Sequence, residues 1–195
     1  MRDTSPSSLR VIAAFLFFAL IAAVSVSAQT DVAASFYGAF TAATEGNGTI
    51  QSPSNSAGGF LELRHISNPL IGYELNYSFN RANQSYNLTP VKATANEVGA
   101  NWVVSVPVLM FRPFVIAGGG LIFFHPDADQ PGTSNEIKGV FVYGGGVDWT
   151  VVPHFGIRGQ YRGNLYHAPD MLDVATSTRA FAHTAEPMLG AYFRF

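Results

Sequence analysis

The sequence predicts an all-β fold: an eight-stranded antiparallel up-and-down transmembrane β-barrel preceded by a cleavable signal peptide. Three observations predict it. The chain begins with an apolar leader of secretory type, every second residue back from Phe195 is apolar, and the connections between strand-like segments alternate between long polar loops and short turns. Barrels of the bacterial outer membrane alternate lipid-facing apolar residues with polar lumen residues, and their periplasmic turns are short.

The first 28 residues are predicted to be a signal peptide and not part of the fold. Arg2 and Arg10 form a basic n-region, residues 11–24 are all apolar or small, and residues 26–28 have the small-residue form that signal peptidase cuts. The apolar run is shorter than the roughly 20 residues that span a bilayer, which favours cleavage after Ala28 over a retained anchor. The barrel domain is then expected to cover residues 29–195.

Composition excludes several classes of protein. The chain has no cysteine, which excludes a lipoprotein anchor, a disulfide framework and a thiolate metal site. Its formal net charge of −2 shows no basic excess of the kind that nucleic acid demands. The loop from Asp127 begins like a calcium-binding loop, but Pro131 occupies a ligand position and Lys138 stands where the bidentate Glu belongs. No metal or cofactor site is predicted.

Eight segments have strand character, and the third is the clearest. From Ile71 to Asn80 it alternates apolar and polar or small residues without an error. The connections at 44–57, 82–94, 125–137 and 167–179 are long and polar, and those at 68–69, 107–112 and 151–153 are short. The predicted strands cover residues 32–43, 58–67, 70–81, 95–106, 113–124, 138–150, 154–166 and 180–195.

Charged residues in these strands fall on the face opposite the apolar one. A closed eight-stranded barrel has an interior just filled by side chains, so facing charges there must pair with each other. The nearly balanced set predicts a packed salt-bridge network that plugs the lumen. Its predicted members are Glu62, Glu74, Glu97, Asp148 and Glu186 as acids, and Arg64, Arg158, Arg162 and Arg194 as bases.

Aromatic residues and glycines complete the barrel pattern. Aromatic girdles form where amphipathic rings meet lipid headgroups. The triple glycines at 118–120 and 144–146 lack the context of a phosphate loop, which favours tight bends or close backbone approach. They give no clear period, so the inward or outward register of strands one, five and six stays open. The predicted girdle residues are Tyr73, Trp102, Trp149 and Tyr161.

Four segments resemble the OmpA-like family of small eight-stranded outer-membrane barrels. They are Arg112–Gly120, Tyr143–Asp148, His154–Arg162 and the closing Phe193–Phe195. The resemblance implies a place among outer-membrane lipid and lipopolysaccharide. Nothing follows Phe195, so the periplasmic peptidoglycan-binding domain of OmpA itself is expected to be absent.

The same resemblance implies that the barrel-assembly machinery recognises the last strand through its aromatic C-terminus. The residues expected to carry this signal are Tyr192, Phe193 and Phe195.

The predicted function is that of an integral outer-membrane protein without enzyme activity, acting structurally in envelope integrity or binding like an adhesin through its loops. A small-solute channel and a soluble periplasmic lipocalin-like carrier are the alternatives, the latter with apolar residues inside and charges outside. The loop residues expected to contact a ligand are Tyr86, Phe123, Phe124, Tyr166, Met171 and Arg179.

A lipid A-modifying barrel enzyme is a further alternative. Lipid A deacylases among the small outer-membrane barrels carry a His-x-Ser dyad on a strand, with a neighbouring carboxylate that orients the imidazole. His65-Ile66-Ser67 with Glu74 on the next strand resembles that arrangement. The pair lies beside a short periplasmic turn, however, whereas the family's site faces the outer leaflet.

Overall fold

The computed structural model describes residues 28–68, 70–128, 130–172 and 178–195. The predicted signal peptide, apart from Ala28, lies outside the described residues. Within them, no helix is long and apolar enough to cross a membrane. The strands are β1 (Gln29–Thr41), β2 (Thr44–Gly46), β3 (Thr49–Pro53), β4 (Ser56–Ile66), β5 (Ile71–Tyr86), β6 (Thr89–Ser105), β7 (Phe111–Pro126), β8 (Glu136–Val152), β9 (Phe155–His167) and β10 (Phe181–Arg194).

All strands except the short β2 and β3 close into one antiparallel barrel. Each barrel strand pairs with the next, and β1 pairs with both β4 and β10. The register followed strand by strand from Thr30 returns to β1 at Phe40, ten residues further along the strand. Such a stagger requires strands that tilt steeply against the barrel axis.

The outer face of the barrel is apolar and the inner face is largely polar. Phe36 is 84% exposed and Trp102 is 67% exposed, both on the outside, whereas Arg64 and Arg162 are buried inside. A soluble barrel would have the reverse distribution. The lipocalin-like alternative is therefore wrong, and the outer face is suited to lipid.

The two ends of the barrel differ. Three short connections, at 67–70, 106–110 and 153–154, lie at the same end as Gln29 and Phe195, and we call this the turn end. At the opposite loop end the strands reach further than predicted. The expected loop at 82–94 is wrong, because β5 and β6 stay paired up to Tyr86 and Thr89.

This β5–β6 extension ends in a two-residue turn at Asn87-Leu88. Asn87 takes a φ of 54°, as such turns require, and Asn tolerates that conformation. The added β2–β3 hairpin also turns on an Asn, in Asn47-Gly48, and β3 pairs with the top of β5. In this extension the apolar residues Val91 and Ala93 face inwards and Lys92 faces outwards, which reverses the alternation of the barrel wall below it.

The structure shows which residues of the glycine-rich strand β8 face inwards and which face outwards, a question that the sequence left open. Gly144 and Gly146 lie on the inward face of β8, between the buried side chains of Val142 and Asp148, and Gly145 lies on the outward face. A Cβ atom at Gly144 would collide with the carbonyl oxygen of Tyr161 on β9. Close approach between neighbouring strands therefore explains why this segment shows no two-residue period.

Candidate functional site

The half of the lumen next to the turn end holds a buried ionic cluster centred on Arg158. Arg158 binds Asp148 through two hydrogen bonds of 2.7 and 2.9 Å, donates to Asp31 Oδ1 at 3.0 Å, and also contacts Glu62. A planar guanidinium has the donor geometry for such multiple pairing. We call this set the lower cluster, which consists of Asp31, Glu62, Arg64, Glu74, Asp148 and Arg158.

Arg64 is the second cation of the lower cluster. Its Nη2 donates to Glu74 Oε2 at 2.7 Å, and its Nε lies 3.0 Å from Glu62 Oε1. The other oxygen of Glu74 accepts from Asn101 Nδ2 at 2.8 Å. The guanidinium lies 4.0 Å from the ring centroid of Phe114, a cation–π distance. Its remaining nitrogen, Nη1, lies 3.8 Å from Asp148 Oδ2, so Arg64 also adjoins the carboxylate that binds Arg158.

A second ionic group, the upper cluster, lies nearer the loop end and consists of Glu97, Arg162, Asn164 and Glu186. Arg162 contacts Glu97 and lies 3.4 Å from Glu186 Oε2. Asn164 Nδ2 donates to the other Glu97 oxygen at 2.9 Å. The ring of Phe60 lies 4.7 Å from the Arg162 guanidinium. Like each cation of the lower cluster, the Arg162 guanidinium is held between carboxylates and lies beside an aromatic ring.

Above the upper cluster, residues 168–172 fold across the loop end and form a cap. The Tyr86 hydroxyl donates to the carbonyl of Pro169 at 2.6 Å and accepts from the backbone N–H of Met171 at 3.1 Å. Burial raises the pKa of Tyr86 to about 12, so this phenol stays protonated as a donor. Ser134 N–H also donates to the Met171 carbonyl at 2.9 Å. The cap therefore joins the β5–β6 extension to the β7–β8 connection.

A cavity of about 40 Å³ remains beside the upper cluster, on its loop-end side. Its walls include Glu97, Glu186, Ser78, Thr184 and Tyr166. A volume of this size admits a few water molecules. In the described part of the chain, no three His, Asp or Glu side chains are grouped so that they could hold a metal ion.

Of the nine side chains in the predicted network, the structure brings all but Arg194 into one of the two clusters. Arg194 lies at the turn end, 5.0 Å from the ring centroid of Tyr192, and its Nε and Nη2 have no hydrogen-bond partner among the described residues. Asp31 was missed. It precedes Val32-Ala33-Ala34, where apolar or small residues occupy both faces and give no inward signal.

The residues of the lipid A deacylase alternative are not brought together. His65 Nδ1 lies 2.9 Å from the Thr30 hydroxyl, and the imidazole packs beside Tyr73 with ring centroids 5.4 Å apart. Glu74 points to the other side of the barrel wall and is bound to Arg64. A carboxylate in the lumen cannot orient an imidazole on the outer face, so this geometry does not support acyl transfer.

The predicted girdle residues all face outwards. Tyr73 and Trp102 are cross-strand partners towards the turn end, and Trp149 pairs there with Phe111. Tyr161 differs, because it lies at the middle of β9, six residues from either strand end. A girdle forms at the membrane boundary, so the position of Tyr161 does not suit that role.

The predicted C-terminal signal is divided between the two faces of β10. Phe193 and Phe195 are exposed on the outside, with ring centroids 5.5 Å apart. Tyr192 is buried in the lumen, and its hydroxyl lies 2.9 Å from that of Thr150. Tyr192 therefore packs against the lower end of the network instead of facing lipid.

Four of the predicted loop contact residues are buried. Tyr86, Phe124 and Tyr166 form an apolar core at the loop end together with Met171 of the cap. Aromatic and Met residues in a polar loop suggested exposed contacts, but here the loop end has a core of its own. The expectation that these four contact a ligand is wrong. The exposed apolar tips are Ile50 and Leu88, which lie at the ends of the two hairpins.

Comparison with solved structures identifies the fold. The barrel is similar to Neisserial surface protein A (NspA), with a TM-score of 0.61, 12% identity, and 88% of this chain and 100% of NspA covered. For the outer membrane protein OprG from Pseudomonas aeruginosa, the TM-score is 0.62 and the sequence identity is 12%, with 87% of this chain and 97% of OprG covered. For Ail, the attachment invasion locus protein of Yersinia pestis, the TM-score is 0.53 and the sequence identity is 18%, with 87% of this chain and 99% of Ail covered.

Identities this low establish a common fold only. The predicted eight-stranded antiparallel up-and-down β-barrel is confirmed, and so is the resemblance to OmpA-like small barrels at the level of the fold. No protein-family model matches the chain. No curated protein matches it either.

Proposed function

We propose that this protein is an integral barrel of the bacterial outer membrane, with its turn end in the periplasm, that acts structurally and through contacts made by its loop end. The lumen is closed to solutes. The observation that carries the proposal is the filling of the lumen by two layers of buried ion pairs, the lower and the upper cluster. This filling supports a rigid scaffold and argues against the alternative of a small-solute channel.

Membrane residence accounts for the outer face and for the C-terminus. Lipid and lipopolysaccharide would cover the outward side chains, including Phe36 and Leu189. The exposed Phe193 and Phe195 would remain available to the barrel-assembly machinery before insertion. Neither role requires a cofactor or a catalytic group.

The loop end provides the surface for contacts. The β5–β6 extension and the β2–β3 hairpin form one sheet above the belt, which is the band of exposed apolar residues on the outer face of the barrel. Their tips are joined by a hydrogen bond, because Ile50 N–H donates to Asn87 Oδ1 at 2.9 Å. Leu88 at the tip is 97% exposed. Exposed apolar residues on a rigid support are typical of binding surfaces. One of the similar structures, Ail, was solved in complex with a heparin analogue.

That complex does not by itself suggest a polyanion as the ligand here. Two of the basic side chains at the loop end already have acidic neighbours, since Arg81 binds Asp127 and Lys138 lies 2.6 Å from Glu136. We therefore propose an apolar contact at the hairpin tips as the adhesin-like element.

Complementation of a deletion strain tests the proposed function. The double variant Ile50→Ser/Leu88→Ser removes the apolar tips without touching the lumen. We expect wild type and variant to restore detergent resistance equally, and only wild type to restore attachment of cells to surfaces. A deletion strain that is unchanged in both assays would contradict the proposal. A variant that fails in both assays would place the structural role in the hairpin tips and not in the barrel.

The filled lumen predicts that the protein does not conduct ions. Purified protein inserted into planar lipid bilayers should add no discrete conductance steps, because two layers of buried, paired charges fill the lumen. Conductance steps that disappear when Arg158 and Arg162 are both replaced by Met would instead establish a channel through the clusters.

A further inference from the structure

Two of the short connections at the turn end expose an unusual amount of apolar surface. The first reads Val106-Pro107-Val108-Leu109-Met110, and the second, at 153–154, directly follows Val151 and Val152 at the end of β8. Leu109 is 98% exposed. We call this the apolar turn surface, which consists of the exposed residues Val106, Val108, Leu109, Met110, Val151 and Val152.

The two connections form one surface. The backbone N–H of Thr150 donates to the carbonyl of Met110 at 2.9 Å, which fixes the second connection beside the first. Directly above them, Phe111 and Trp149 are cross-strand partners with ring centroids 6.3 Å apart. The apolar turn surface is thus continuous with the lipid-facing belt of β7 and β8.

Turn formation alone does not explain these residues. Val108 and Phe111 exchange two backbone hydrogen bonds of 2.8 and 2.9 Å, and Leu109 between them takes a φ of 55°. Gly, Asn and Asp adopt this conformation readily, and none of them would expose a large apolar side chain. A leucine here accepts backbone strain and places its whole side chain outside the barrel.

The third connection at this end shows the contrast. It contains Ser67 and Asn68, and Asn68 Oδ1 accepts from the backbone N–H groups of Leu70 and Ile71 at 3.0 and 2.9 Å. Polar turn chemistry is therefore present on the β4–β5 side of the barrel. The apolar turn surface is confined to the side formed by β6 to β9.

The two connections carry no acidic residue, Lys or Arg, and their titratable side chain is the exposed His154, whose Nδ1 lies 3.1 Å from the carbonyl oxygen of Arg194. The sequence carries no Asp, Glu, Lys or Arg from Trp102 to Phe111 or from Trp149 to Ile157. Arg112 and Asp148, which flank the aromatic pair, are cross-strand partners on the inward side, with Asp148 fully buried and Arg112 partly buried. Within these two segments, no Asp, Glu, Lys or Arg side chain separates the apolar outer face of β7 and β8 from the tips of the two turns.

We propose that the apolar turn surface is embedded in the phospholipid of the periplasmic leaflet, so that the barrel stands tilted with its β6–β9 side deeper than its β4–β5 side. This inference rests on the proposed membrane residence. Continuity with the belt identifies lipid as the partner, because exposed contiguous apolar surface is otherwise rare on proteins. A second copy of the chain or a periplasmic protein would be the competing occupants.

Site-directed spin labelling tests the inference, since the chain has no native cysteine. Three single variants, Leu109→Cys, Leu75→Cys and Ser67→Cys, are labelled in full-length protein in phosphatidylethanolamine–phosphatidylglycerol vesicles, after heat-modifiable gel mobility has shown that each is folded. Leu75 lies in the outward belt and Ser67 in the polar turn. The measurement is the collision rate of each label with dioxygen, which favours lipid, and with a water-soluble nickel chelate.

We expect the labels at 109 and 75 to collide more with dioxygen, and the label at 67 to collide more with the nickel chelate. A label at 109 that behaves like the one at 67, while 75 remains in lipid, overturns the inference and leaves the proposed function intact. A label at 75 that is exposed to nickel overturns membrane residence itself.

The competing occupants give their own signatures. Spin–spin broadening at 109 that disappears on dilution with unlabelled protein would identify a second copy and overturn the lipid assignment. Protection of 109 from nickel in isolated outer membranes, but not in vesicles, would identify a periplasmic protein and do the same.

Discussion

Replacing Arg158 by methionine should lower the free energy of unfolding by about 3–5 kcal/mol, which is the effect expected when one partner of a buried ion pair is removed. The substitution keeps the length and apolar stem of the side chain but leaves Asp148, Asp31 and Glu62 without their shared cation. Each of these carboxylates is buried. The measurement is the urea midpoint at which the heat-modifiable folded band is lost.

Arg81→Met is the matched control for this variant. Arg81 binds Asp127 at the loop end, but 63% of its side chain is exposed, so its loss should cost less than about 1 kcal/mol. A second check adds Asp148→Asn to Arg158→Met, which removes one of the unpaired charges and should recover part of the loss. Equal midpoints for Arg158→Met and wild type would show that the lower cluster does not stabilise the barrel.

Two-residue periodicity predicted the facing of those wall strands that show it, and not that of the glycine-rich strands β7 and β8. Where one face meets lipid and the other the lumen, as between Ile71 and Asn80, each residue carries information about its side. The same logic predicted which charges face inwards. The partners of each charge could not be predicted, because Arg158 on β9 reaches Glu62 on β4 across the lumen, and this distance depends on the stagger of the closed barrel.

The loop end was predicted least well, for a physical reason. In the β5–β6 extension the alternation is reversed, with Val91 and Ala93 buried inside, and the cap forms through long-range contacts such as Tyr86 with Pro169. Asp31 was missed at the other end, where small residues on both faces hide the period. Closure into a barrel, and not local pattern, determines these features.

The second large loss of stability is expected from a substitution at Gly144. A valine at this position should destabilise the barrel by about 3 kcal/mol, because its Cβ would collide with backbone atoms of β9 that cannot rotate away. Those atoms are the carbonyl oxygen of Tyr161 and the Cα of Arg162, the latter at 3.1 Å. Relief of the collision requires β8 and β9 to separate, which also displaces the central cation of the upper cluster.

Gly139→Val is the control on the same strand. Gly139 faces outwards, and a Cβ atom there meets nothing within 4 Å. Valine suits an exposed strand position better than glycine does, so this variant should match or exceed the wild-type urea midpoint. The contrast separates strand propensity from close backbone approach: if both valine variants were equally stable, the inward glycines would not be needed for strand contact. If only Gly144→Val loses its folded band, the spacing between β8 and β9 depends on the missing side chain.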